Sequence, residues 1–162
     1  MASRLKRAIL SPIPYLLPER AGGLIIGLWS KRLKEEIGGN VTDEFLELLL
    51  KGMEIAFYLS KGYRRNTEGF EGRYLFRTAD NIVAASATFK NGDMDVHEGP
   101  IDDWDVRVIF KDAAAFRAFI FSKNQDILDS ILANEVEVDG NLNYIYKFGF
   151  MARDLGHRLG VG

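Results

Sequence analysis

The chain has 162 residues, four prolines, 47% hydrophobic and 27% charged residues, which suits one globular domain with a short arm and excludes a disordered or fibrous protein. It contains no cysteine, so disulfides, thiolate zinc sites, iron–sulfur clusters and cysteine nucleophiles are ruled out; a fold of this length removes about 70% of its unfolded surface from water and needs no covalent staple. The net charge of −2 is uneven: residues 1–34 carry seven bases (Arg4, Lys6, Arg7, Arg20, Lys31, Arg32, Lys34) against Glu19 alone, leaving the rest of the chain at −8.

An acidic body argues against a nucleic-acid groove. The basic, apolar arm has the composition of a segment that meets an anionic membrane, with Arg4, Lys6, Arg7, Trp29, Lys31 and Arg32 as its contact residues. Its opening, MASRLKRAILSPIPYLLP, is broken by Pro12, Pro14 and Pro18 and is followed by no small-x-small cleavage site, so it is not read as a signal peptide. The apolar stretch Ala21 to Trp29 is shorter than the roughly 20 residues that span a bilayer. These features predict a cytoplasmic protein, soluble or peripheral to the membrane.

The arm contains a predicted helix over about 23–37, with Leu24, Leu28 and Trp29 near helical spacing, i,i+4 pairs Lys31/Glu35 and Arg32/Glu36, and a stop at Gly38-Gly39. Thr42 or Asp43 caps a second helix that runs to about Ser60. Its polar positions, Glu47, Lys51, Glu54, Tyr58 and Lys61, form one narrow stripe. The remaining circumference is apolar and has to be enclosed by other elements or by a partner.

From Phe70 the period changes to two. Phe70, Tyr74 and Phe76 alternate with Glu71, Arg73 and Arg77, the pattern of a half-buried strand. A second strand, Ile82 to Phe89, turns at Asn91-Gly92 into a third around Met94 to His97, because both turn residues tolerate positive φ. Trp104, Val106, Val108 and Phe110 mark a fourth, and the four together are expected as an antiparallel meander.

Helical spacing then returns. Asp112 caps a helix bearing Phe116, Phe119 and Ile120, and Asn124 a helix bearing Ile127, Leu128, Ile131 and Leu132. A short strand, Glu135 to Val138, precedes a last helix capped by Asn143 and bearing Tyr144, Ile145, Phe148, Met151 and Leu155. The pattern predicts an α+β fold with residues 1–40 as the arm, 41–156 as the domain and 157–162 as a frayed tail.

Few residues suit catalysis. With His97 and His157 as the only histidines and no G-x-S-x-G or H-E-x-x-H, neither a nucleophile–base pair nor a metal site is expected. The acids Asp93, Asp95, Glu98, Asp102, Asp103 and Asp105 crowd thirteen residues, but their spacing matches no calcium loop, and acids around a hairpin and a loop are ordinarily solvated. His97 reads as a surface imidazole beside them. An enzyme built on this cluster is the weakest of the functional readings.

The meander with NGDMDVHEG, the run Asp105-Val106-Arg107-Val108-Ile109-Phe110 leading into an aspartate-capped helix, and the strand Glu135 to Val138 ending at Asp139-Gly140-Asn141 before the closing helix resemble a sterol carrier protein type 2 (SCP2) domain over about 42–155. PYLLPERAGG in the arm is similar to bacterial SCP2-type accessory factors of ubiquinone biosynthesis. The resemblance implies a mainly antiparallel five-stranded sheet covered by helices around an apolar tunnel, no catalytic residue, no cofactor, and binding or transfer of a sterol, fatty acyl or prenyl lipid. The tunnel residues expected are Phe76, Phe110, Phe116, Phe119, Ile120, Ile127, Leu128, Ile131, Leu132, Tyr144, Ile145, Phe148 and Met151. The second strand lacks the tryptophan many members carry, and the C-terminus lacks an S-K-L address, so a peroxisome is not expected. The alternative is a scaffold subunit of a membrane-associated lipid or quinone biosynthesis complex, docking through the arm and the apolar second helix on a lipid-modifying enzyme.

Overall fold

A computed structural model describes residues 27–35, 44–81, 84–121 and 127–160. Residues 27–35 are helical (α1), followed by α2 (Glu44–Leu59), the short α3 (Lys61–Arg64) and a 3-10 turn (Arg65–Thr67). Four strands come next: β1 (Gly72–Thr78), β2 (Ala84–Lys90), β3 (Asp93–Glu98) and β4 (Val106–Phe110). The chain then forms α4 (Ala113–Phe121), α5 (Ile127–Leu132), β5 (Val136–Gly140) and α6 (Leu142–Leu159).

The local signals work as their chemistry requires. Asn91 and Gly92 adopt φ of 55° and 79°, giving the two positive-φ residues that a tight hairpin twisted like its strands needs. Asp112 Oδ1 accepts from the Ala115 N–H at 2.8 Å and so starts α4. The last helix differs from expectation: its cap is Asn141, whose Oδ1 accepts from the Asn143 N–H at 2.9 Å. It continues past residue 156 to Leu159, where Gly160 closes it in the left-handed region. The Thr42/Asp43 cap, Gly38-Gly39, Ile82 and the Asn124 cap lie outside the described residues.

The sheet has the order β3-β2-β1-β4-β5 and is mixed, mostly antiparallel. The four-stranded meander therefore stops at its third strand, and β4 pairs with β1 in parallel, Tyr74 opposite Val106 and Thr78 opposite Phe110. Residues 99–105 make this possible by carrying the chain from the edge strand back across the sheet. Ser86 Oγ donates to Gly99 O at 3.1 Å, the Asp105 N–H donates to Arg73 O at 2.9 Å, and the Arg107 guanidinium lies over the Trp104 ring at 5.1 Å. Each anchor uses a residue on the sheet face turned away from the helices. Arg73 locks the landing point, donating to both carboxylate oxygens of Asp105 and also pairing with Asp103.

The opposite face carries the helices: α2 lies on β2 and β3, α4 and α6 on β4, and α2, α4 and α6 touch one another. The apolar circumference of α2 is enclosed by its own chain, from Phe45 and Leu50 to Met53 and Phe57, all buried. Trp29 and Leu33 of α1 cover it, while Leu28, expected on the packed stripe, faces out. The Trp29 indole is 2% exposed, donates to Leu48 O at 2.8 Å and fills the space that a side chain at Gly52 would take.

The polar stripe of α2 is not a solvated face. Lys51 is 6% exposed with its ammonium 2.5 Å from Glu54 Oε2, and Glu54 Oε1 accepts from the Val96 N–H of β3 at 3.1 Å. The helix thus satisfies a backbone donor of an edge strand that would otherwise remain open to pairing with another chain.

Candidate functional site

The helix-covered face of the sheet is aromatic because strand alternation turns Tyr74 and Phe76 of β1, Phe89 of β2 and Phe110 of β4 toward the helices. Phe148 of α6 descends between them, its ring centroid 4.5 Å from that of Phe76 and 5.8 Å from that of Tyr74. Phe116 of α4 packs edge-on against Phe110 at 4.8 Å and meets Phe45 of α2 at 5.5 Å. Offset and tilted pairs at these separations are the favoured aromatic geometries, and they join sheet and helices into one apolar layer.

Two hydroxyls enter this layer, and both are satisfied inside it. Tyr74 Oη donates to Tyr144 O and Tyr63 Oη donates to Met151 O, each at 2.8 Å. Burial raises the pKa of both phenols well above the ordinary tyrosine value; the nearby Tyr144 and Asp105 add to it at Tyr74, and Asp154 adds to it at Tyr63 against a smaller opposing effect of Arg158. Both remain neutral near physiological pH, so they tie helix α6 to β1 and α3 without supplying charge.

Of the expected tunnel residues, Phe76, Phe110, Phe116, Phe119, Ile120, Ile127, Ile145, Phe148 and Met151 are buried in this one cluster. Ile131 and Tyr144 are half-buried against it. Leu128 and Leu132, at 47% and 80% exposed, point away from it; the side of α5 turned to the core carries Ile127 and Ile131 instead. Among the expected membrane contacts, Trp29 is enclosed in the core and so cannot reach a bilayer from this position, Lys31 is exposed and Arg32 half-buried. Arg4, Lys6 and Arg7 lie outside the described residues.

The expected set also omits Phe45, Tyr74, Phe89 and Phe70, which belong to the same layer. Gly72 was the available signal: an isolated strand glycine marks a close approach. A side chain there would meet Tyr144 Cε1 at 2.5 Å and Phe70 Cζ at 2.9 Å, so its absence is what lets these two rings meet over the end of β1, tilted at 59° with centroids 5.2 Å apart.

The acidic segment builds no comparable centre. Asp103 and Asp105 are held by Arg73, which lowers the Asp105 pKa through its hydrogen bonds, against a partial opposing effect of burial, while the paired carboxylates raise that of Arg73. No group of three or more metal-ligating side chains comes together among the described residues. His97 lines a cleft of about 30 Å³ with Glu47, Lys51, Ala85, Val96 and Glu98, room for about one water and far too small for a lipid. Among the described residues, no helix is long and apolar enough to cross a membrane.

No family model and no curated protein matches the chain. Solved structures do. The chain is similar to a UbiJ-SCP2 ubiquinone synthesis protein at 19% identity and a TM-score of 0.51, over 68% of this chain and 98% of that one. Looser likenesses, both with a TM-score of 0.44, extend to a conserved hypothetical protein from Thermus thermophilus suggested to be a sterol carrier protein (14% identity, 71% of this chain and 84% of that one) and to the inverting sec-alkylsulfatase Pisa1 from Pseudomonas sp.. In the sulfatase the match is at 13% identity and spans 90% of this chain but 33% of the enzyme. The five-stranded sheet with helices on one face is thus an SCP2-like α+β fold.

Proposed function

We propose that the protein binds an apolar lipid, of sterol, fatty acyl or prenyl type, between its sheet and its helices, and transfers or presents that lipid without itself catalysing a reaction. The aromatic layer carries this reading: Tyr74, Phe76, Phe110, Phe116 and Phe148 form a broad apolar surface whose hydroxyl is already satisfied internally. An alkyl or isoprenoid chain needs no polar partner there, and each Å² of its surface taken from water contributes about 25 cal/mol. The likeness to a UbiJ-SCP2 ubiquinone synthesis protein supports a long prenyl chain as one member of the class.

The rings touch one another in this state, so a ligand has to part the layer. The cover that yields most easily is α5, six residues long with Ile127 alone fully buried and two leucines already facing solvent. A swing of α5 would withdraw Ile127 and Ile131 from the core and bring Leu128 and Leu132 toward the incoming chain.

Native mass spectrometry of the gently purified protein, with organic extraction of whatever travels with it, tests the proposal. A stoichiometric sterol, acyl or prenyl species is the expected result. An apo mass that persists after incubation with a lipid extract would mean that the layer is a filled core, and would overturn the reading.

A further inference from the structure

Helix α6 buries one side, through Ile145, Phe148, Met151, Ala152 and Leu155, and presents another at spacings of four, three and four residues: Tyr146, Phe150, Arg153 and His157. The outward stripe is not the usual polar one. Tyr146 and Phe150 are 44% and 56% exposed, one helical turn apart, with basic side chains following them.

Residues from α3 extend this surface. The Arg158 guanidinium lies 5.7 Å over the Tyr63 ring, and Asn66 Nδ2 donates to Asp154 Oδ2 at 2.7 Å, so α3 and its 3-10 turn sit beside the C-terminal half of α6. Lys61, Arg65, Arg153 and Arg158 are all exposed there. Residues 61–68 and 142–160 together hold six bases against the two acids Glu68 and Asp154, in a chain whose net charge is −2. Asp154 is further neutralised by the Arg158 Nε–H at 2.9 Å. The exposed acids Asp93, Asp95, Glu98, Asp102 and Asp103 lie elsewhere, on edge strand β3 and on the connection that crosses the other face of the sheet.

We infer that the outward face of α6, with Lys61 and Arg65 of the adjoining segment, docks on an anionic lipid bilayer. Two solvent-facing aromatic rings framed by bases match that surface on both counts: rings enter the boundary between headgroups and acyl chains, and the bases meet the headgroup charge. The acidic remainder is repelled by the same charge, which orients the molecule with α6 down and the sheet face crossed by residues 99–105 toward water. This contact does not depend on the cargo reading above, since it uses residues outside the apolar layer.

Co-sedimentation of the full chain with vesicles of phosphatidylcholine, alone or mixed with phosphatidylglycerol, tests it. The protein is expected to pellet with the mixed vesicles, less so as salt rises, and to stay in the supernatant with phosphatidylcholine alone. Phe150→Ser should weaken binding severalfold, and Lys61→Glu with Arg65→Glu by more than about tenfold, since each base near such a surface is worth about fivefold. All three side chains are exposed, so circular dichroism should be unchanged in these variants. Failure of the parent to bind would overturn the inference; so would undiminished binding by the variants, which assigns the contact to the N-terminal arm, and so would equal retention on heparin or pelleting without vesicles, which makes the face a general polyanion or self-association surface. Lipid content of the parent by native mass spectrometry separates the two proposals: a parent that carries lipid but does not pellet with the mixed vesicles fails the docking inference alone, and one that pellets but carries no lipid fails the cargo reading alone.

Discussion

Replacing Gly52 by alanine should reverse the sign of an ordinarily favourable change. Within a helix, alanine is more stable than glycine by about 1 kcal/mol, because glycine loses more backbone freedom on folding. At this position in α2 the Trp29 indole occupies the place of the side chain: an alanine Cβ would lie 1.6 Å from Cζ2 and 2.1 Å from Cε2. The ring must leave, and it takes with it the Nε1–H bond to Leu48 O and its own burial. Truncating a buried tryptophan costs about 3–5 kcal/mol, so after the helical gain the expected net loss is about 2–4 kcal/mol. Urea unfolding followed by circular dichroism measures this, and Trp29 emission in a Trp104→Phe background should shift to the red. In a Trp29→Ala background the same Gly52→Ala change should become neutral or stabilising by up to about 1 kcal/mol, a coupling that the double-mutant cycle isolates. A Gly52→Ala protein as stable as its parent, with unshifted emission, would refute the docking of α1 on α2.

Glu54→Ala removes the carboxylate 2.5 Å from the buried Lys51 ammonium and leaves the Val96 N–H without its acceptor, and should cost about 3 kcal/mol, whereas Lys51→Met with Glu54→Gln should recover most of it; equal losses in urea unfolding would contradict the pairing. Asp105 has its pKa held below the ordinary 3.8 by Arg73, so its stabilising effect is present above the unfolded value and is lost as pH falls through the folded one. The Tm difference between parent and Asp105→Asn should accordingly be full at neutral pH and close at acid pH, and a difference constant with pH would exclude the ion pair as its source. Asn141→Ala should cost about 1 kcal/mol in thermal unfolding and Asn143→Ala close to nothing, an order that would be inverted if Asn143 were the cap. Phe119→Trp, at a buried ring 6.0 Å from that of Phe110, should reduce the lipid that co-purifies without altering the circular dichroism, and unchanged loading would remove Phe119 from the binding surface.

Features that rest on neighbours within about four residues were legible in the chain. Asn91-Gly92 specifies its own turn, Asp112 lies three residues before the N–H it caps, and the alternation of β1 and β4 already separates inward rings from outward arginines. The apolar circumference of α2 foretold an enclosed helix, and the aromatic residues of strands and late helices foretold an apolar layer. The cap of the last helix falls two residues earlier than expected: Asn143 lies inside α6, and Asn141, in extended backbone leaving β5, is the residue whose side chain accepts from the Asn143 N–H.

Only the tertiary structure decided which elements meet. Alternation from Trp104 to Phe110 marks a strand but says nothing of its neighbour, and β4 pairs in parallel with β1 because the 99–105 connection crosses the sheet and is anchored by Arg73 on β1. Gly140 shows the same dependence: at φ 110° its missing Cβ would fall 2.4 Å from Asp105 O, a demand created by a strand brought alongside from 35 residues earlier. Likewise Trp29 reads as a membrane residue until Gly52 opens a slot for it, and Leu128 reads as core until α5 turns Ile127 and Ile131 inward instead. Amphipathic patterns report that a side chain will be buried if a surface is offered to it; whether that surface is a sheet, another helix or a bilayer depends on contacts between residues far apart in the chain.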